Sequence, residues 1–294
     1  MNKLLIFAKS PIKGKVKTRL KKDTTLTDDD ILKLYTAFLK DTIVAASLSK
    51  AQRIYIAYYP EDSREVMIRI CHHPELDSGY QQIEMFPQSG KGFDARITNA
   101  IRHISLHPPY STPFDKLRGR GKKGGDNIII LGSDSPHIQP TTINRAFGFL
   151  SNPKSRGAMV LGPSGEGGVY LIGVKGQGSR VRRGFDFNGV FTTGNESDNL
   201  LSIARRKKLP LLILEELTDV DVKSDLITLV SNLSMIKYSS NYTNIHLPRY
   251  TLKAIKELGL CVKRKGDGST DSPGGGTREK YLFKRELAAD LHRP

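Results

Sequence analysis

Three aspartates and a run of cations are the residues whose types and spacing best suit them to chemistry. Asp134 follows the apolar run Asn127–Leu131, inside Gly132-Ser133-Asp134-Ser135-Pro136. A carboxylate just beyond a buried strand suits a hard cation carrying substrate phosphates, because magnesium takes one or two carboxylates and fills its other positions with phosphate oxygens and water. Asp219 and Asp221 stand two apart in Thr218-Asp219-Val220-Asp221, so in extended backbone they share a face; either suits a second metal ligand or a base. The cations lie in Lys9–Lys22, with seven basic residues and no acid. Pro11 and Gly14 predict a turn there, and the glycine lets backbone approach a ligand. Lys9, Lys15, Lys17 and Arg19 then converge on phosphates, Arg19 through its planar fork. Val16 follows Gly14-Lys15, so this is not a Walker A loop. The plainer readings are a solvated basic turn, an aspartate capping a turn, and acids capping the next helix.

Two further stretches carry weaker signals. Gly162-Pro163-Ser164-Gly165-Glu166-Gly167-Gly168 is a glycine-dense loop with one carboxylate, which suits a ligand passing close to backbone with Glu166 facing it. It is not a dinucleotide fingerprint, because a strand rather than a helix follows. Gln88–Arg96 opens a helix, whose first N–H groups favour anions. The histidines form no catalytic pattern: His72-His73-Pro74 falls in a loop, and no G-x-S-x-G nucleophile turn is present.

The elements that must position these groups alternate. Strands are predicted at Lys3–Ala8, Arg53–Tyr59, Gln82–Phe86, Asn127–Leu131, Ala158–Leu161, Val169–Val174 and Leu211–Leu214. Helices are predicted from Asp28 to about Ser47, capped by Thr27 with acids in its first turn, and at 93–104, 140–150, 200–208, 222–233 and 250–258. Strands alternating with helices mean an α/β three-layer sandwich around a mostly parallel sheet. The short link between Ala158–Leu161 and Val169–Val174 makes the sheet mixed, with one antiparallel strand. In such sheets ligands bind beyond the carboxyl ends of strands, where the loops above all emerge.

The expected organisation is a nucleotide-binding domain over 1–235, a helical extension over 236–261 and a flexible tail over 262–294, whose last residues, from Tyr281, suit a short helix. Residues 107–126 lack periodicity and are longer than compact domains usually need. They resemble the translated short dispersed repeats that interrupt some bacterial genes, so an insertion is expected there.

The chain of 294 residues carries a net charge of +16 and 38% hydrophobic residues. That balance favours anionic partners, although the insert and tail hold much of it. Cys71 and Cys261 are the only cysteines, which excludes a disulfide framework or a zinc knuckle. The apolar run Leu4–Ala8 is too short for a signal-peptide core, and no run approaches the ~18 apolar residues of a membrane span. A cytoplasmic protein is expected.

Taken in order, FAKSPIKGKVKTRL, PQSGKGFDARITNAI, IIILGSDSPHIQPTTINRAF, VLGPSGEGGVYLIGV and LTDVDVKSDL resemble one family. It is the bacterial and archaeal glycosyltransferase-like family once listed as a domain of unknown function, also called radical-SAM/selenodomain-associated transferase 1. It belongs with the nucleotide-diphospho-sugar transferases of the GT-A fold, and the resemblance covers about residues 3–235 apart from the insert. It implies a transferase using Mg²⁺ or Mn²⁺, a nucleotide-sugar or nucleoside triphosphate, and a small-molecule acceptor. By that resemblance Lys15, Lys17, Thr18 and Arg19 hold nucleotide phosphates and Asp134 ligates the metal. Asp219 or Asp221 completes the metal site or activates the acceptor. With Lys9, Gly14, Gly132 and Ser133 these make the expected nucleotide site; Arg19, Glu166 and Asp221 are the expected catalytic residues. Gln88, Gly90 and Arg96 match a motif without an assigned task. The chain departs from the family in having Glu166 where Asp is usual, Ser135 for Cys, Val169 for an aromatic residue, and Phe191-Thr192-Thr193 for a Trp-Ser stretch. Glycosyl transfer is the leading expectation and nucleotidyl transfer the alternative. The rivals of another class are a nucleic-acid-binding protein and a catalytically idle paralogue; the basic stretches lack the interleaved aromatic residues that single strands stack on.

Overall fold

The computed structural model describes residues 1–71, 83–106, 125–155, 157–175, 185–264 and 280–284. The suspected insert lies almost wholly outside them, as does His72-His73-Pro74. A seven-stranded sheet organises the chain: β1 (Asn2–Lys9), β2 (Arg53–Tyr59), β3 (Ile83–Pro87), β4 (Asn127–Gly132), β5 (Met159–Pro163), β6 (Val169–Lys175) and β7 (Leu211–Ile213) stand in the order β3-β2-β1-β4-β6-β5-β7. Only β6 runs against the rest, pairing antiparallel with both β4 and β5. The expected antiparallel strand is therefore present, and the other six strands end on one edge.

Alternation along the central strands sends side chains to two cores. Leu4, Ile6 and Ala8 of β1, with Ile129 and Leu131 of β4, face one side. Leu5, Phe7, Ile128 and Ile130 face the other. The first side is covered by α2 (Asp28–Ser47), α3 (Arg64–Cys71) and α5 (Pro140–Leu150). The second is covered by α4 (Gly92–Leu106) and α6 (Glu196–Lys207). Buried on both faces, these strands have no polar alternation to show, which is why they read as continuous apolar runs.

Helix α2 starts as its sequence predicts. Thr27 Oγ1 accepts from the Asp30 N–H, and Asp30 Oδ2 accepts in return from the Thr27 N–H at 2.9 Å, a reciprocal capping box. Its outer face makes a third core with α1 (Thr18–Asp23), α7 (Lys223–Ser239) and α8 (Arg249–Glu257), through Leu34, Phe38, Leu229, Leu233 and Ile255. The expected boundary at 235 falls inside α7, and α8 shares a core with α2. Asp41 of α2 accepts from the N–H groups of Tyr250 and Thr251 at 3.1 and 2.7 Å, so a distant helix supplies the cap of α8.

The described residues of the expected tail, 262–264 and 280–284, lie in strands. Strands β8 (Leu260–Arg264) and β9 (Lys280–Lys284) pair antiparallel, Leu260 opposite Lys284. Tyr281–Lys284 is thus strand rather than helix: LCV and YLF are both β-formers, and each meets a partner only through a long-range pairing invisible in either segment alone.

Candidate functional site

The basic loop after β1 turns at Gly14, whose φ of +72° is left-handed, a conformation that glycine adopts freely. Three residues on, Lys17 is itself left-handed at φ 46°, ψ 43° and precedes α1. This departure from ordinary lysine backbone reverses which side chains face inward. Val16 and Leu20 are buried, Lys15, Thr18 and Arg19 are exposed, and the Lys17 side chain is only 5% exposed. Its ammonium Nζ lies 2.9 Å from Asp134 Oδ1 and 2.9 Å from Asp221 Oδ1. Arg19 reaches the same Asp221 from the rim, at 3.4 Å, with 75% of its side chain exposed.

The aspartates come together because two loops are laced. The Val220 N–H donates to Asp134 O at 3.1 Å, and Ser135 Oγ donates to Thr218 O at 2.9 Å. Val220 is fully buried, which pins the chain between Asp219 and Asp221. The capping role open to these acids falls to another residue: Asp225 Oδ2 accepts from the N–H groups of Asp221 and Val222. Behind the cluster, the Tyr35 hydroxyl donates to Lys9 O at 2.8 Å and sits 3.1 Å from Ser133 Oγ. It joins the ends of β1 and β4 through α2.

The charges of this cluster act on one another. Burial works against the Lys17 ammonium, but Asp134, Asp219 and Asp221 together hold its pKa above the ordinary lysine value. Burial, then the charge of Asp134, pushes Asp219 up to about 7, with Lys17 opposing. Burial also works against Asp221, yet Lys17 and Arg19 hold its carboxyl below the usual range. Asp134 Oδ1 and Asp219 Oδ1 are both buried without a hydrogen-bond partner; Lys17 answers the first as an ion pair, and the second is left unsatisfied.

The expected site residues therefore separate. Lys17, Asp134, Asp219, Asp221 and Arg19 form one network; Lys9, Lys15 and Thr18 line the exposed loop beside it. Ser133 is buried against Tyr35 and frames the site from behind. Gly132 has ordinary room for a Cβ, its nearest atom being Tyr170 O at 3.7 Å. Glu166 is exposed and left-handed, φ 58°, on the loop after β5, and among the described residues it takes no part in the Lys17 network. His137 is buried and pushed down to about 4 by desolvation, hence neutral.

Tyr35 is the residue that reading the sequence missed. It sits at an apolar-periodic position of α2 and counts there as core; its polar tip inside an apolar face was the only signal. The Gln88 motif gains a task. Gln88 Nε2 donates to Ala8 O and Ala57 O at 3.0 and 2.9 Å, stapling β1 to β2. Asp94 accepts from the Gly189 and Phe191 N–H groups at 2.6 and 3.0 Å, and Phe191 packs against Phe93. Arg96 lies 4.4 Å over the Tyr59 ring. Two clefts of about 880 and 870 Å³ flank α8, and neither is lined by a residue of the Lys17 network.

A search of the curated proteins found no match. Among solved structures, a Desulfovibrio desulfuricans G20 protein assigned as a nucleotide-diphospho-sugar transferase is similar over 87% of this chain and 95% of its own, with 23% identity and a TM-score of 0.61. That similarity shows the fold: this chain shares with that protein the three-layer, mostly parallel sheet described above. A cytidylyltransferase of Leptospira borgpetersenii serovar Hardjo-bovis is more distant, with 13% identity and a TM-score of 0.47 over 87% of this chain and 94% of its own. So is Rv0371c of Mycobacterium tuberculosis H37Rv in complex with manganese, at 15% identity and a TM-score of 0.40 over 78% and 97%. Residues 42–193 match the family described as uncharacterized protein conserved in bacteria (DUF2064), and this chain belongs to that family.

Proposed function

We propose that the chain is a transferase that takes a nucleotide-activated sugar, with Mg²⁺ or Mn²⁺, and passes the sugar to a small-molecule acceptor. The observation that carries this reading is the juxtaposition at the carboxyl edge of the sheet: Asp134, Asp219 and Asp221 around one buried ammonium, bordered by the exposed cations Lys9, Lys15 and Arg19. A diphosphate needs cationic charge on its oxygens, and a divalent ion needs hard anionic oxygen; the two requirements are met side by side.

The donor set fits a hard divalent ion. All three candidates are carboxylates, and Asp219 Oδ1 is buried and unpartnered. As the side chains stand, the Lys17 ammonium lies between the carboxylates, and no group of three or more His, Cys, Asp or Glu among the described residues is gathered to hold an ion. Asp134 and Asp219 would hold the metal, with Asp221 beside them; bound there, it would neutralise phosphate charge as the donor bond breaks. Lys15 and Arg19 would orient the phosphates, and Tyr35 and Ser133 would keep the two loops in register. Glu166, exposed on the loop after β5, is the carboxylate this reading assigns to the acceptor side.

Incubation with candidate nucleotide-sugars, metal and acceptors, with products read by mass spectrometry, tests the reading. Release of a nucleoside diphosphate is expected; release of pyrophosphate from a nucleoside triphosphate would reassign the reaction as nucleotidyl transfer. Asp134→Asn is expected to lower turnover by about 100-fold, the scale of losing one well-placed electrostatic group.

A further inference from the structure

We infer that Lys17 is the resident counter-cation of the Asp134–Asp219–Asp221 cluster, displaced from it when a divalent metal enters with a phosphorylated ligand. The inference rests on the metal-and-nucleotide reading above and adds an exchange of cations to it. Lys17 is the inward-facing cation of a loop whose neighbouring cations face outward. Its side chain is 5% exposed, and its ammonium bridges Asp134 and Asp221 at 2.9 Å each. One buried ammonium faces three carboxylates. Arg19 supplements it only from the rim, 3.4 Å from Asp221 and 75% exposed. Asp219 keeps a buried oxygen with no hydrogen-bond partner. A divalent ion supplies further positive charge and would use that oxygen.

The backbone is arranged for such an exchange. Lys17 holds a left-handed conformation, which is costly for a residue with a Cβ and persists only where its surroundings enforce it. The four-carbon stem re-aims an ammonium without moving the backbone, and the exposed Lys15 and Arg19 mark the direction in which phosphates lie. A metal arriving alone must evict a buried ammonium that then has no partner. A metal arriving with phosphates gives that ammonium a new anion. Metal and nucleotide should therefore bind with positive coupling, and that coupling should be reciprocal.

Mn²⁺ binding in the absence of nucleotide, followed by the electron paramagnetic resonance of the free ion, tests this on the full chain. Lys17→Met is expected to bind Mn²⁺ at least about 10-fold more tightly than wild type, as a coupling of ordinary size predicts. Lys17→Arg, which keeps a cation, is expected to bind as weakly as wild type. Adding UDP or GDP should tighten Mn²⁺ binding in wild type and do so less in Lys17→Met. If Lys17→Met folds, as its thermal transition reports, and gains no affinity for Mn²⁺, the inference is overturned while metal–nucleotide binding by wild type keeps the proposed function. If no variant binds Mn²⁺ with or without nucleotide, both fall. Should Lys17→Met not fold, ¹⁵N-lysine spectra of wild type decide. The buried ammonium signal, identified by its absence in Lys17→Arg, must shift when Mg²⁺ and the nucleotide are added; an unmoved signal overturns the exchange.

Discussion

The Tyr35 hydroxyl stands 3.1 Å from Ser133 Oγ and donates to Lys9 O at 2.8 Å, so one side chain of α2 holds together the two strand ends that carry the cations and the first aspartate. Burial, then the charge of Asp134, raises its pKa above the ordinary tyrosine range, which keeps its proton available for donation. Tyr35→Phe preserves the ring and removes only this tie. Leaving buried partners unmatched costs about 1–3 kcal/mol. The expected result is a loss of that size in urea denaturation, together with weaker metal–nucleotide binding in calorimetry. Stability lost with binding unchanged would confine Tyr35 to the core.

Gln88 makes the opposite prediction. Its amide staples Ala8 O to Ala57 O, and its own N–H donates to Tyr58 O at 2.8 Å. Gln88→Leu fills similar volume and strands two buried carbonyls, for a cost of about 2–3 kcal/mol. The folded variant is expected to bind metal and nucleotide within about a factor of two of wild type, since the Gln88 amide shares no partner with Lys17, Asp134 or Asp221 and such sites add. A selective loss of binding would return the motif to the ligand.

Much of this arrangement was legible in the sequence, and the failures have physical causes. Strands β1, β2 and β4 announce themselves because burial on both faces leaves no polar position to blur the run. Helix α2 announces itself through Thr27 and Asp30. Helix α1 does not: of Thr18–Asp23 only Leu20 is buried, and one apolar residue has no period. Helix α3 offers just Met67, Ile70 and Cys71 over two turns. At the site, residue types and loop order were enough to collect Lys17, Asp134, Asp219 and Asp221. They could not say that Lys17 faces the acids while Lys15 and Arg19 face outward. That division comes from the left-handed backbone at Lys17, which no lysine-rich spacing encodes.

Asp41 gives the fold a pH dependence outside the site. Its carboxyl is buried, and burial pushes it up to about 7 despite the Thr251 and Tyr250 N–H groups it accepts from. The folded state therefore binds a proton that the unfolded state, with an ordinary aspartate value near 3.8, has already released. Stability from this group is present at low pH and falls as pH rises from about 4 to about 7, by at most about 1.4 kcal/mol per pH unit. Asp41→Asn cannot titrate. Urea midpoints across that window should fall with pH in wild type and show a shallower fall in the variant. Parallel profiles would mean that the N–H groups, not burial, set the charge of Asp41.

Two glycines separate conformational need from packing need. Gly14 is left-handed at φ +72°, and a Cβ there would meet nothing within 4 Å. Gly14→Ala therefore costs only the backbone penalty of an alanine in that region, about 1–2 kcal/mol. Gly162 has no such φ, but a Cβ on it would lie 2.5 Å from the Tyr170 ring. That ring is buried, and its hydroxyl donates to Glu215 O at 3.1 Å, so it cannot turn aside without losing a bond. Overpacking of about 1–3 kcal/mol should come with displacement of β6 from β5, where the ladder shifts register between Gly162 and Pro163. Hydrogen exchange should then show new exposure along β5 and β6 in Gly162→Ala and none in Gly14→Ala, whose effect should stay within the basic loop. Equal exchange patterns in the two variants would show that Tyr170 yields, and that Gly162 is dispensable to the sheet edge from which Glu166 projects.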